Sequence, residues 1–309
     1  MSTINKVPAS AGAEWLLAGF ALLKRAPVPL ITISLSGLLV VAFGVVVALI
    51  GLLAASALPF PLSFLGSLAA NLVLLGVPCI VFSGVVWAAR EVAEGRVASF
   101  QHLQVGLRHL RPLLVVSLVP VIVTMLCGLL LIALIGPEGA QQTNEVMLKL
   151  RELSASGAQP DPQQVTALIS TLPVLRITLW VATAVVITPV VILLVMVAMA
   201  EVVFRDRGGM AALRTSLSVN LRNFPALVVF SALLTILMFV LNLALNMVGV
   251  FIQLVLGPVI AVLLINAAMM SSLMPIIAGA AYAAWRQMLD GDTPASTHGS
   301  SPASTRIEV

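Results

Sequence analysis

The residues that could do chemistry inside the long apolar runs of this chain are amides and hydroxyls: Asn71, Asn242, Asn246, Gln253, Asn266, Ser271 and Ser272. Amides do not titrate, and a hydroxyl becomes a nucleophile only with a base beside it. Asn242 and Asn246 are four apart and so share one helix face; Gln253 and Asn266 follow in the same apolar region. What this set can do is hydrogen bond. Between membrane helices such a contact contributes about 0.6 kcal/mol on average. In a cavity the same groups would hold a ligand, and Asn242, Asn246, Gln253, Asn266 and Ser271 are the candidate ligand-lining set.

Other chemistry finds little footing. Acid–base work and ion conduction inside a membrane need ionisable groups at depth, and the apolar runs carry charge only at their ends, as with Glu201. His102 and His109 lie seven apart, and a two-histidine metal site needs further ligands. His298 lies in the polar tail. No His-Glu-x-x-His, Gly-x-Ser-x-Gly or phosphate-loop string occurs. Cys79 and Cys127 sit within apolar runs and read as small buried hydrophobes. The expectation is no enzyme activity, no metal and no cofactor.

The elements that must position these residues are membrane helices. The stretches Ala26 to Ala89 and Asn223 to Trp285 contain no charged residue, and a span needs about 20 apolar residues. The chain of 309 residues is 60% hydrophobic and 9% charged, against about 25% charged in soluble domains. The fold expected is an all-α, polytopic transmembrane helical bundle. Lys24 and Arg25 precede the first long apolar run, so a cleavable signal is not expected. Spans are expected at Leu30 to Leu53, Leu65 to Ala89, Leu113 to Ile135, Ile177 to Val203 and Ala226 to Val248. The run from Phe251 to Trp285 contains Gly257-Pro258 and a polar cluster. It is read as a broken or re-entrant half-helix to about Leu264 followed by a span, the alternative being one long kinked helix.

The chain carries 16 Lys and Arg against 12 Asp and Glu. Thirteen of the sixteen basic residues fall in loops that would share one side of a six-span bundle; Lys149, Arg151 and Arg176 fall on the other. By the bias of cationic loops, both termini are expected in the cytoplasm. The basic balance then reflects topology and anionic lipid rather than nucleic acid.

A unit is used three times: a short amphipathic helix, a basic residue and proline, then two spans. The openings end at Lys24-Arg25-Ala26-Pro27, Arg111-Pro112 and Arg222-Asn223-Phe224-Pro225. Phe100, Leu103, Leu107 and Leu110 form one apolar stripe, and Met210, Leu213, Leu217 and Leu221 another. In the first opening Trp15, Phe20, Leu22 and Leu23 are apolar and the polar side is thin. These helices are expected flat at the membrane surface, with Lys24, Arg25, Arg108, Arg111, Arg214 and Arg222 against lipid phosphates. The second span of each unit has an inner proline, Pro78, Pro189 or Pro275, expected to kink the helix toward the protein interior. The organisation is one membrane domain, 1–289, with units 9–90, 97–205 and 208–289, an external loop 136–175 and a disordered tail 290–309. In the external loop, Glu145 to Leu153 is expected helical, and Asp161-Pro162 to start a helix.

Gly-Phe-Ala-Leu-Leu-Lys-Arg-Ala-Pro (Gly19 to Pro27), the three hairpins, and Ala-Tyr-Ala-Ala-Trp-Arg (Ala281 to Arg286) resemble a family of uncharacterised bacterial inner-membrane proteins, itself similar to the membrane domain of some glycerophosphodiester phosphodiesterases. The likeness covers roughly Ala11 to Leu289, without the soluble phosphodiesterase domain. It implies a bacterial inner membrane and a lipid context, and no catalytic residues. The function expected is non-enzymatic binding or transport of a lipid-like or apolar ligand, with membrane lipids as partners. The alternative is a structural or regulatory scaffold that self-associates or meets another membrane protein, for example through Gly279-Ala280-Ala281.

Overall fold

A computed structural model describes residues 4–155, 162–170 and 172–290. The fold is all helical, and no strand occurs among the described residues. Three short helices each lead into long ones: α1 (Ala11–Arg25), then α2 (Pro27–Ser56) and α3 (Leu62–Ala93); α4 (Leu103–Arg108), then α5 (Leu110–Ala155); α8 (Gly209–Arg222), then α9 (Phe224–Leu256) and α10 (Pro258–Trp285). Between α5 and α8 lie the short α6 (Pro162–Ser170) and the long α7 (Val174–Arg205). Six helices are long and apolar enough to cross a membrane, with mean hydropathy from 2.1 to 3.0. The protein is an integral membrane protein. In lipid every backbone group must be satisfied within its own helix, which is why runs rich in Val, Ile and Gly stay helical for about thirty residues.

Each short helix is divided from the long one after it by a single residue outside helical geometry: Ala26, His109 and Asn223. Proline follows within three residues, at Pro27, Pro112 and Pro225, in the first turn where its missing N–H costs nothing. The bends fall where the prolines predict them. Pro78, Pro189 and Pro275 all lie inside α3, α7 and α10 without ending them, and Pro275 is buried.

The last apolar run differs from expectation. It is neither a broken re-entrant helix to Leu264 nor one kinked helix. The span before it continues to Leu256, Gly257 turns the chain at φ 83°, and Pro258 starts α10, which runs unbroken to Trp285. A positive φ is open to glycine at little cost, and proline is preset for the first helical position, so Gly257-Pro258 is the hairpin turn itself. The same dipeptide acts at Gly136 (φ 71°) and Pro137, where the transmembrane part of α5 ends. A further helical stretch follows there to Ala155, which takes in the expected Glu145 to Leu153. Pro162 starts α6 as expected; Asp161 and the tail after Asp290 lie outside the described residues.

The core sits at the end of the bundle where the short helices gather, called here the basic end. Its buried side chains come from the first turns of α2, α5 and α9 and the last turns of α3, α7 and α10: Leu30, Ile33, Val85, Val86, Leu113, Val116, Met199, Phe230, Tyr282 and Trp285. The far, or distal, halves of the α2–α3 and α9–α10 hairpins pack small residues along their seams. Gly44 packs on Val77, Gly51 and Gly66 on Ala70 and Ala55, and Gly249 on Ile265. Large residues around them, such as Phe43, Leu53, Phe239 and Leu254, are exposed.

A candidate lipid groove and a polar clasp at the basic end

The short helices are fastened to the bundle through glycines. A Cβ on Gly12 or Gly19 of α1 would collide with the carbonyl of Ala226 or Ile276. On Gly106 of α4 it would strike the Ile80 carbonyl, and on Gly209 of α8 the Pro112 carbonyl. Close backbone approach of this kind is how membrane helices pack without a hydrophobic drive. On α8 the small face Gly209, Ala212, Ser216 and Val219 is buried, and Ser216 Oγ donates to the Leu194 carbonyl of α7 (2.6 Å). Much of the predicted stripes is exposed, Met210, Leu217 and Leu221 on α8 and Phe100, Leu107 and Leu110 around α4, while Leu213 and Leu103 pack partly against the core. α1 is different. Its face Ala11, Gly12, Trp15, Leu16 and Gly19 is buried against α9 and α10. That contact occupies Gly279-Ala280-Ala281, so this face is used within the chain and is not free for a partner.

A polar clasp ties the ends of the helices together. Glu201 of α7 is 0% exposed. Its Oε1 accepts a hydrogen bond from Trp285 Nε1 (2.8 Å) and lies 3.6 Å from Arg205 Nη1. Arg207 Nη1 is 3.1 Å from Oε2 but off the axis of a hydrogen bond, so this pairing is Coulombic. Arg205 also donates to the Leu289 carbonyl (2.8 Å) and lies over the Trp285 ring. Phe204 packs on Trp285 (4.7 Å) and Tyr282 (5.7 Å), and the Arg90 guanidinium lies 5.2 Å from the Phe204 ring centre. Asn223, at the start of α9, does not cap its helix. It accepts from Val7 N (2.9 Å) and donates to the Asn5 carbonyl (3.1 Å), while Asn5 N donates to the Met288 carbonyl (2.9 Å). Trp15 Nε1 donates to Gln287 Oε1 (2.5 Å). The segment before α1 is thereby locked to α9 and α10. Sequence reasoning missed this clasp. The available signal was Glu201, the lone acid of α7, four residues before Arg205.

A second charged group closes the exit of α3. Arg90 Nε pairs with Glu94 Oε1 (2.6 Å), and Arg96 pairs with both Glu94 and Glu91. Hydrogen bonding from Arg90, then from Arg96, holds the Glu94 carboxyl below its ordinary range, and the two acids raise Arg96.

The five polar residues expected to line a site lie elsewhere. Asn242 and Asn246 are exposed on one face of α9; Asn246 Nδ2 donates to the Asn242 carbonyl (2.8 Å), and Asn242 Nδ2 contacts Met269 Sδ (3.8 Å). Gln253 is exposed in the last turn of α9. Asn266 is exposed and donates to the Val262 carbonyl (2.8 Å); Ser271 is buried and donates to the Ala268 carbonyl (3.1 Å). The structure joins Asn242 to Asn246 and sets the others apart. The six predicted phosphate contacts, Lys24, Arg25, Arg108, Arg111, Arg214 and Arg222, are all exposed, and none has an ion pair among the described residues.

The cavity suited to a ligand runs between α7 and α9 beneath α8. It holds about 450 Å³ and is open along one side. Pro189 and Leu193 of α7, Leu227 and Ala232 of α9, and Leu217 and Asn220 of α8 are among its walls. A smaller cleft of about 250 Å³ lies where Glu14 and Leu22 of α1 face Tyr282 and Arg286.

No family model, curated protein or solved structure matches the chain. What the protein does is therefore read from its own geometry.

Proposed function

We propose that this is a non-enzymatic protein of a bacterial inner membrane that binds or moves a lipid-like or apolar molecule. The observation that carries the reading is the apolar groove between α7 and α9, whose volume of about 450 Å³ falls in the range of small-ligand sites, roughly 300–1,000 Å³. Both flanking helices are membrane spans by length and hydropathy, so what reaches the open side of the groove is lipid. The short helices and the bends after them carry exposed cations at the same end of the bundle, Arg214 and Arg222 on α8 among them. The concentration of Lys and Arg on the basic end supports a reading in which that end and both termini face the cytoplasm. The three successive sets of short and long helices are read as copies of one unit about the membrane normal, and the resemblance to bacterial inner-membrane proteins agrees with a lipid context.

The test is to purify the protein from membranes in a mild detergent and to identify co-purifying molecules by native mass spectrometry followed by lipid analysis. A defined lipid or apolar species held at about one per chain supports the proposal. A preparation that keeps its fold and carries no such molecule contradicts it.

A further inference from the structure

Asn266 of α10 is an amide held at the depth of lipid tails. It follows the turn at Gly257 by about 14 Å at the helical rise, which is close to the middle of a hydrocarbon layer roughly 30 Å thick. Val259, Val262 and Leu263, between it and the turn, are all exposed, so hydrocarbon surrounds this stretch. Asn266 is exposed as well. Its Nδ2 gives one hydrogen to the Val262 carbonyl; the second hydrogen and Oδ1 have no partner among the described residues. Acyl chains offer neither donor nor acceptor, and a polar group left unpaired among them is costly. The other amides of this hairpin are placed differently. Asn246 turns its Nδ2 to both oxygens of Asn242 on its own helix, and Gln253 stands one turn from the end of the hairpin. Asn266 also lies outside the groove between α7 and α9.

A spare N–H and a bare carbonyl on one carboxamide are the two halves of an amide pair. A foreign partner would need an amide matched in depth. A second copy of this chain has one by symmetry: a two-fold axis along the membrane normal sets its Asn266 at the same level, and each carboxamide donates to the Oδ1 of the other. The surroundings allow the approach. Val262 and Met270, one turn to either side on the same face, are exposed, and the short helices dock at the other end of the bundle. We infer that two copies of the protein associate in the membrane through this face of α10, with their Asn266 carboxamides hydrogen-bonded to each other. The inference goes beyond the lipid-binding reading and does not depend on it.

The first experiment counts copies. The full-length protein, fused at its C-terminus to a fluorescent protein, is reconstituted into phospholipid vesicles and followed by single-molecule photobleaching as it is diluted in lipid. Two bleaching steps are expected at high protein density, giving way to one on dilution. Asn266→Leu, a substitution at an exposed position, should weaken the pairing about three- to tenfold, the worth of two membrane hydrogen bonds. The second experiment locates the contact by disulfide cross-linking in native membranes. Val262→Cys should link to its twin under mild oxidation, and Val190→Cys, on the groove side of α7, should not; wild-type Cys79 and Cys127 set the background. A wild type that bleaches in one step at every density overturns the inference. So does pairing that Asn266→Leu leaves unchanged, a link at Val190→Cys as strong as at Val262→Cys, or a link from Val262→Cys to a different protein in place of its twin. Each of these outcomes leaves the lipid reading of the groove intact.

Discussion

The two halves of this bundle are built on different terms. At the basic end, helices from all parts of the chain meet across glycines, a buried carboxylate, an asparagine and stacked aromatics. In the distal halves the α2–α3 and α9–α10 hairpins pack thin seams of small residues, and Leu254 is 79% exposed where Val85 is 0%. The difference follows from the solvent. Lipid tails are as apolar as leucine, so burying a leucine against another helix gains little. Helices hold together where backbones come close or polar groups meet. An exposed distal leucine is at home in hydrocarbon, and the fold is fixed by its clasped end.

The sharpest way to break this contrast is steric. Gly19→Leu forces a side chain into the Ile276 carbonyl, which should cost about 3 kcal/mol or more by overpacking and lower the melting midpoint in detergent by several degrees. The matching distal substitution, Gly128→Ala, meets no atom within 4 Å and should be neutral or stabilise by up to about 1 kcal/mol through helix propensity. Equal losses at both sites would mean that the halves do not differ.

Next in size is electrostatic. Glu201→Leu leaves Arg205, Arg207 and the Trp285 N–H without their shared acceptor. Removing one member of a buried pair costs about 3–5 kcal/mol; the partial exposure of both arginines puts the expectation near the lower figure. Asn246→Leu in the distal half removes only contacts to its own helix and should cost about 0.6 kcal/mol or less. Melting curves by tryptophan fluorescence compare the two, and a loss at Asn246 as large as at Glu201 would contradict the assignment.

The smallest effect is in pH. Glu94 binds its proton less readily in the folded chain than in the unfolded one. Its pairing with Arg90 and Arg96 therefore stabilises fully above the ordinary carboxylate value, about 4.3, and is lost as pH falls through the lower folded value. The melting midpoint should hold from pH 7 to about pH 5 and decline below it, less steeply in Glu94→Gln. A decline that begins between pH 7 and pH 6 would point to another group.

The membrane fold was legible because spans need only length and freedom from charge. The last hairpin was misread for a related reason. Gly136-Pro137 is followed by polar residues that mark an end, whereas Gly257-Pro258 has apolar residues on both sides, so hydropathy registers no boundary where the backbone turns. Periodicity found the stripes of α4 and α8 but not which face would dock, since in a membrane the small face is the adhesive one. The expected polar site was chosen for the rarity of amides in an apolar run. Asn71, Asn246 and Asn266 each donate to the carbonyl four residues back, a local satisfaction that composition cannot distinguish from a cavity.

Spin-label distances in nanodiscs, measured by double electron–electron resonance, test the two-ended construction most directly. One pair, Gln101 and Ser218, reports the short helices at the basic end; another, Val47 and Val248, reports the distal halves of α2 and α9. The basic-end pair should give one narrow distance, and the distal pair a broad distribution that narrows little when lipid is exchanged for detergent. A distal pair as narrow as the basic one would show that the hairpins lock together along their whole length, and the contrast drawn here would be wrong.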